Sequence, residues 1–177
     1  MEDLCVIAGA TKIPEDENVS VSGKRFDIKK EKDDKKLYIQ VKSGPNTMNV
    51  GMIASLNDMI KKIEGKDDKA FGILGMTYGT KSQISPQIRD NLENFENKAF
   101  IGKEFWELLS GQNNYYTELI RLIDNLSRKF SEKHATTFMK LVEVRKMELV
   151  EEWNNEYGAM GEEGLSKFLE RPTGTKL

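Results

Sequence analysis

Residues 24–42 read KRFDIKKEKDDKKLYIQVK, and the alternation within them decides the fold. In KRFDIKK, Phe26 and Ile28 point one way while Arg25, Asp27 and Lys29 point the other. In LYIQVK, Leu37, Ile39 and Val41 share one face and Tyr38, Gln40 and Lys42 the other. Successive side chains leave a pleated backbone on opposite faces, so both runs predict strands. The very polar EKDDKK between them predicts an antiparallel hairpin. Folded symmetrically about the Asp33–Asp34 bond, the hairpin sets Phe26 against Val41 and Ile28 against Ile39. The same register places Asp27 opposite Gln40, with Lys42 two residues further along that face, about 7 Å from Gln40. Three polar groups converge on one side of a sheet.

Outward from the hairpin, SGPNTMN is rich in turn residues. Met52, Leu56, Met59, Ile60 and Ile63 then recur at helical spacing, with Lys61 and Lys62 facing outward. Asn49 or Thr47 suits the helix cap. Gly65 and KDDK end that helix, and AFGILGMTY is an apolar run of strand length. Strand, helix, strand predicts a right-handed crossover with 70–78 parallel to 37–42. The core expected is a β-hairpin plus a βαβ crossover, an α/β arrangement. Before it, Gly9, Pro14 and the acidic Glu15, Asp16 and Glu17 predict irregular structure with at most a short element.

The C-terminal half reads as helical. Ser85-Pro86 starts QIRDNLENF, GKEFWELLSG is bracketed by glycines, and NYYTELIRLIDNLSRKF carries Leu119, Leu122, Ile123, Leu126 and Phe130 on one stripe. A long helix is expected from Thr136 to Tyr157 with Gly158 as its stop. One domain is expected over 1–177, with an α/β core at 19–80, a helical part at 85–158 and a flexible tail at 159–177.

Composition narrows the chemistry. The 177 residues hold 27 Lys+Arg against 29 Asp+Glu, and hydrophobic residues make up 38%, enough for a core and against disorder throughout. No run approaches the roughly eighteen apolar residues of a membrane helix, and the start lacks a basic segment before an apolar one. A soluble cytoplasmic protein is expected. The single cysteine, Cys5, has no disulfide partner, and its apolar setting LCVIA predicts a buried thiol. The single histidine, His134, leaves too few ligands for a structural zinc site and is expected on the surface before a helix. Chemistry then falls to carboxylates, amides, lysines and a metal.

Metal-assisted phosphodiester hydrolysis needs a strand-borne carboxylate, a second oxygen ligand, and a lysine near the attacking water. Asp27, Gln40 and Lys42 place these types on one face. The pattern D-x12-Q-x-K followed by Ser-Gly, with the element order after it, resembles the PD-(D/E)xK nuclease superfamily over roughly Lys24 to Tyr78. The run from Lys42 through Ser-Gly-Pro-Asn-Thr-Met to Asn49 looks like type II restriction endonucleases within it. The resemblance implies Mg²⁺ as cofactor, with Asp27 as the metal-bridging aspartate, Gln40 at the place of the second acidic ligand, and the Val41 carbonyl completing the shell. It implies Lys42 as the residue that orients the water. Asn46, Thr47 and Asn49 fall in the run after the catalytic lysine and are DNA-binding candidates. Lys81, Ser82 and Gln83, in the loop after the third strand, are candidates for contacts to bases. Phe26 stands where the family has proline, and Gln40 offers a neutral amide where it has a carboxylate. The Q-x-K form resembles the methylation-directed branch of the superfamily. Alternatively the carboxylate has moved to the following helix, where Asp58 is the only acidic residue in the first three turns.

Plainer readings stand beside this one. A solvated polar strand face accounts for Asp27, Gln40 and Lys42 without chemistry, and Asp58 is most simply a solvated helix residue. The overall pI of about 5.7 does not favour a nucleic-acid binder. Residues 21–50, however, hold eight basic side chains against four acidic, while 151–170 hold one against six. This asymmetry turns the hairpin side towards phosphates, although lysine runs are also ordinary solvated turns. The expected function is a homodimeric, Mg²⁺-dependent type II restriction endonuclease acting on double-stranded DNA. A repair or recombination nuclease of the same fold is the alternative, and a catalytically inactive DNA-binding module a further one.

Overall fold

The computed structural model describes residues 1–159 and 161–170. The chain divides into two compact units, Met1–Ile120 and Arg121–Leu177. The first unit holds a five-stranded mixed sheet in the order β1 (Thr11–Lys12), β2 (Ile28–Lys32), β3 (Lys35–Lys42), β4 (Ala70–Met76) and β5 (Ala99–Ile101). Strand β2 runs antiparallel to both β1 and β3, and β3, β4 and β5 are parallel. The hairpin register is the expected one, Ile28 against Ile39 and Lys32 against Lys35. Asp33 and Asp34 form a two-residue turn, both at positive φ (50° and 59°), as such a tight hairpin requires. The crossover also stands as expected, with Gln40 beside Leu74 and Lys42 beside Met76.

Helices cover both faces. The crossover helix α2 (Val50–Glu64) is capped by Asn49, whose Oδ1 accepts the Met52 N–H at 2.9 Å. Its buried stripe of Ile53, Leu56, Met59, Ile60 and Ile63 packs with Tyr38, Leu74 and Met76. On the other face, α1 (Glu2–Ile7) and α5 (Lys103–Ser110) bring Cys5, Phe105, Trp106 and Leu109 against Ile28, Ile39, Val41 and Ile73. The interior strand β4 is therefore buried on both sides. A Cβ at Gly75 would run into the Phe105 ring, so this glycine sets how closely α5 approaches the sheet. Lys98, almost fully buried, pairs with Glu64 and lies over the Phe71 ring, which partners its charge inside the core.

Several expectations need correction. Phe26 does not share a face with Ile28; it packs with Tyr38 on the α2 side, ring centroids 6.0 Å apart. The cause is local. Asp27 N–H donates to the Ile39 carbonyl, although Ile39 is already the partner of Ile28, so two residues oppose one as in a β-bulge and side-chain parity shifts by one. The polar face is not solvated either, since Tyr38 and Gln40 are buried beneath α2. The expected helix QIRDNLENF breaks into α3 (Pro86–Asn91) and α4 (Phe95–Lys98), with Asn94 at φ 55°, and leads into β5.

The remaining helices are α6 (Tyr115–His134), α7 (Phe138–Tyr157) and α8 (Glu162–Leu169). His134 is exposed and precedes α7, as expected, and is also the last residue of α6, its ring centroid 4.5 Å from that of Phe130. Thr137 caps α7 and Gly158, at φ 83°, stops it. Part of the expected flexible tail is α8, whose Phe168 packs on Trp153 and Tyr157 of α7. The expectation for 171–177 lies outside the described residues. Among the described residues no helix is long and apolar enough to cross a membrane.

Candidate active site

The bulge places Asp27 one residue ahead of regular strand, where its side chain reaches across the end of β3. Its Oδ2 accepts the Val41 N–H at 2.6 Å and a hydrogen bond from Gln40 Nε2. Asn18 secures the approach by accepting the Phe26 N–H at 3.3 Å and donating to the Phe26 carbonyl at 2.9 Å. Burial raises the Asp27 carboxyl above its ordinary range, opposed by the Val41 N–H and the positive charge of Lys42. Asp27, Gln40 and Lys42 line one cleft of about 260 Å³, together with Lys24 and Arg25 on one rim and Met48 and Met52 at the start of α2. The structure brings the expected triad together.

The cleft opens at the C-terminal ends of parallel strands, where α/β sheets hold ligands. Two loops build that end. The loop after β3 is pinned to the loop after β4: Thr77 N–H donates to the Lys42 carbonyl at 3.1 Å and Thr77 Oγ1 to the Ser43 carbonyl at 2.8 Å. A Cβ at Gly44 would collide with the Tyr78 ring, so only glycine lets Tyr78 close over the segment following Lys42. Trp106 Nε1 holds the Thr77 carbonyl from below at 2.8 Å.

The other candidates fall as follows. Asn46 and Thr47 are exposed in the loop after Lys42, Thr47 donating to the Gly44 carbonyl, and Asn49 is engaged as the α2 cap. Lys81, Ser82 and Gln83 form a 3-10 turn after β4. There Lys81 pairs with Glu96 and Glu104, Ser82 bonds Thr80, and Gln83 Oε1 accepts the Thr80 N–H. Asp58 is exposed on α2 and does not line the cleft; its charge acts on Lys61. The acidic side chain whose charge does reach Asp27 is Glu2 of α1, a proximity with no sequence signal because it arises only when α1 folds beside β2.

Among the described residues no three His, Cys, Asp or Glu side chains cluster as a metal site. The donors present are the Asp27 carboxylate, the Gln40 amide and the Val41 carbonyl, which strand alternation puts on the same edge as the Val41 N–H. These are hard oxygen donors. Magnesium is commonly held by one or two carboxylates with water and substrate phosphate completing its shell, so this set fits it. Rotation of the Gln40 amide about its last bond would present Oε1 where Nε2 now stands. The larger grooves, along α6 and α7 and at the hairpin tip, hold neither Asp27 nor Gln40.

A mixed sheet with a hairpin and crossover, and with a carboxylate, an amide and a lysine meeting at its strand ends, defines the nuclease class of the restriction-endonuclease-like fold. The comparison with known families agrees: the chain belongs to the type II restriction endonuclease EcoO109I family, whose model matches residues 2–131. No curated protein matches the chain.

Proposed function

We propose that the protein is a Mg²⁺-dependent endonuclease that hydrolyses double-stranded DNA at a short specific site, with Asp27, Gln40 and Lys42 as its working residues. The observation that carries this reading is the meeting of the Asp27 carboxylate with Gln40 and the Val41 backbone in a cleft walled by Lys42. In hydrolysis a water oxygen bonds to phosphorus, one P–O ester bond breaks, and the leaving oxygen takes up a proton. Bound Mg²⁺ would supply Lewis-acid stabilisation of the charge on the phosphoryl oxygens. Asp27, the Gln40 Oε1 and the Val41 carbonyl would hold it there. Lys42 is a donor without acceptor capacity, so it orients the attacking water and steadies phosphate charge; it does not remove the proton.

Two strands require two such clefts, and a two-fold homodimer supplies them on a palindrome. The stripe on α6 supports this assembly. Tyr116 and Leu119 pack, partly buried, on the core of the first unit, and Ile123, Leu126 and Phe130 carry the same alternating spacing of three and four onward, with Ile123 and Leu126 each 56% exposed.

The test is digestion of unmodified bacterial virus DNA. Discrete fragments with Mg²⁺ and none with EDTA support the site-specific endonuclease. Progressive random nicking favours a repair nuclease, and DNA binding without cleavage under any divalent cation favours the inactive module.

A further inference from the structure

We propose that Lys24 and Arg25 form a phosphate clamp that seats the DNA backbone beside Asp27; this rests on the nuclease reading above. Of the eight basic residues between 21 and 50, most are occupied or remote. Lys29 pairs with Glu17, Lys36 with Asp67, and Lys30 donates to the Gly9 carbonyl. Lys32 and Lys35 sit at the hairpin tip, five residues of β3 from Gln40, about 17 Å at the rise of a strand. Only Lys24, Arg25 and Lys42 line the cleft, where they face a single carboxylate. Glu15 pairs with Arg25 and the charge of Glu2 reaches Asp27, so the charge the cleft leaves without a carboxylate is the Lys24 ammonium, which a phosphodiester backbone satisfies.

The chain presents Lys24 on a rigid support. Val21 and Lys24 close a two-residue turn, each N–H donating to the other's carbonyl at 3.0 Å, with Ser22 and Gly23 both at positive φ (50° and 75°). Two residues beyond Lys24, the double hydrogen bond from Asn18 to Phe26 fixes the backbone. The Lys24 ammonium itself has no hydrogen-bond or ion-pair partner among the described residues. Arg25 is held by Glu15, Nη1 to Oε1 at 3.0 Å, in an exposed pair. A carboxylate on an exposed guanidinium stands where a phosphate would, and an exposed pair is readily exchanged because water screens it. Glu15 therefore acts as an internal counter-ion that DNA displaces.

The experiment measures binding of the full chain to a 30-base-pair duplex of mixed sequence in EDTA, by fluorescence anisotropy across a sodium chloride series. Such binding depends on phosphate contacts and needs no recognition site. Replacing both Lys24→Ala and Arg25→Ala should weaken binding about tenfold or more at low salt and lower the slope of log affinity against log salt by about two. Lys32→Ala with Lys35→Ala should leave the slope within about half a unit of wild type, a tip contribution well below that of the clamp. Glu15→Gln should tighten binding severalfold, a gain that misfolding cannot produce. A wild type that binds and cuts, with a Lys24/Arg25 double variant that keeps its affinity and slope, overturns the clamp and leaves the nuclease reading standing. A wild type that binds no duplex at any salt overturns both.

Discussion

Val41 N–H donates to Asp27 Oδ2 at 2.6 Å, a bond between the backbone of one strand and a side chain standing just before the next. It occupies the ladder position vacated where β2 gives way to the bulge, so the carboxylate substitutes for a backbone carbonyl. The same bond holds the carboxylate in a partly desolvated place, and burial raises its pKa. An ionised Asp27 then opposes folding. We expect Asp27→Asn, measured in EDTA at neutral pH, to raise the melting temperature by a few degrees, since a chain of this size gains about 2–4 °C per kcal/mol. Added Mg²⁺ should raise the wild-type value and leave the variant unmoved. A variant less stable than wild type in EDTA would show that the carboxylate is structural.

Gln40 and Asp58 divide the question of the second ligand. Gln40 bonds Asp27 inside the cleft, whereas Asp58 lies exposed on α2. Gln40→Glu adds a negative charge at the metal and should lower the Mg²⁺ concentration for half-maximal cleavage, and Asp58→Asn should change it less than twofold. Full activity in Gln40→Ala together with an inactive Asp58→Asn would reverse the assignment.

The α6 stripe predicts assembly. A 20-residue helix with Ile120, Leu122, Ile123 and Leu126 each about half exposed presents more apolar surface than an isolated chain keeps in water. Sedimentation at micromolar concentration should give a dimer, and Ile123→Glu with Leu126→Glu should give a monomer that nicks where wild type cuts both strands. A wild type that sediments as a monomer with and without DNA would contradict the palindrome model.

Cys5 is fully buried, and burial pushes its thiol up to about 11. The neutral thiol is thus favoured by the fold. Stability from this source is complete below the ordinary thiol value of 9.0 and is lost as pH rises towards 11, because the unfolded chain ionises first. At pH 8 a thiol reagent should fail to label the native protein and label it fully in guanidinium. Rapid native labelling would place Cys5 at the surface.

Much of this architecture is legible in the residues. Alternation on both sides of a two-residue Asp-Asp turn settles the β2–β3 register, and helical spacing with Asn49 and Gly65 at its ends settles α2, because each signal is local. The meeting of Asp27 with Gln40 is expected from that register, although the bulge at Asp27 brings it about through the carboxylate's reach to Gln40 and the Val41 N–H. The bulge is not legible: no glycine or proline marks Asp27–Ile28, and the parity change that moves Phe26 comes from packing under α2. Strands β1 and β5, of two and three residues, are too short to show a period. Three of the seven lysines between 21 and 50, Lys29, Lys30 and Lys36, bind acidic neighbours or a carbonyl that only the folded chain brings near, so the charge count by itself does not single out Lys24 and Arg25.

The central claim is that DNA is hydrolysed at the Asp27–Gln40–Lys42 cleft, and Lys42 tests it most directly. Its side chain lines the cleft from the end of β3, so Lys42→Ala removes a donor at the site without opening the core. The measurement is the single-turnover rate of cleavage of a cut viral DNA with Mg²⁺, wild type against Lys42→Ala, with duplex affinity measured alongside. We predict a fall in rate of about 10²-fold or more with affinity changed only severalfold. A Lys42→Ala enzyme that cuts at close to the wild-type rate would contradict the account.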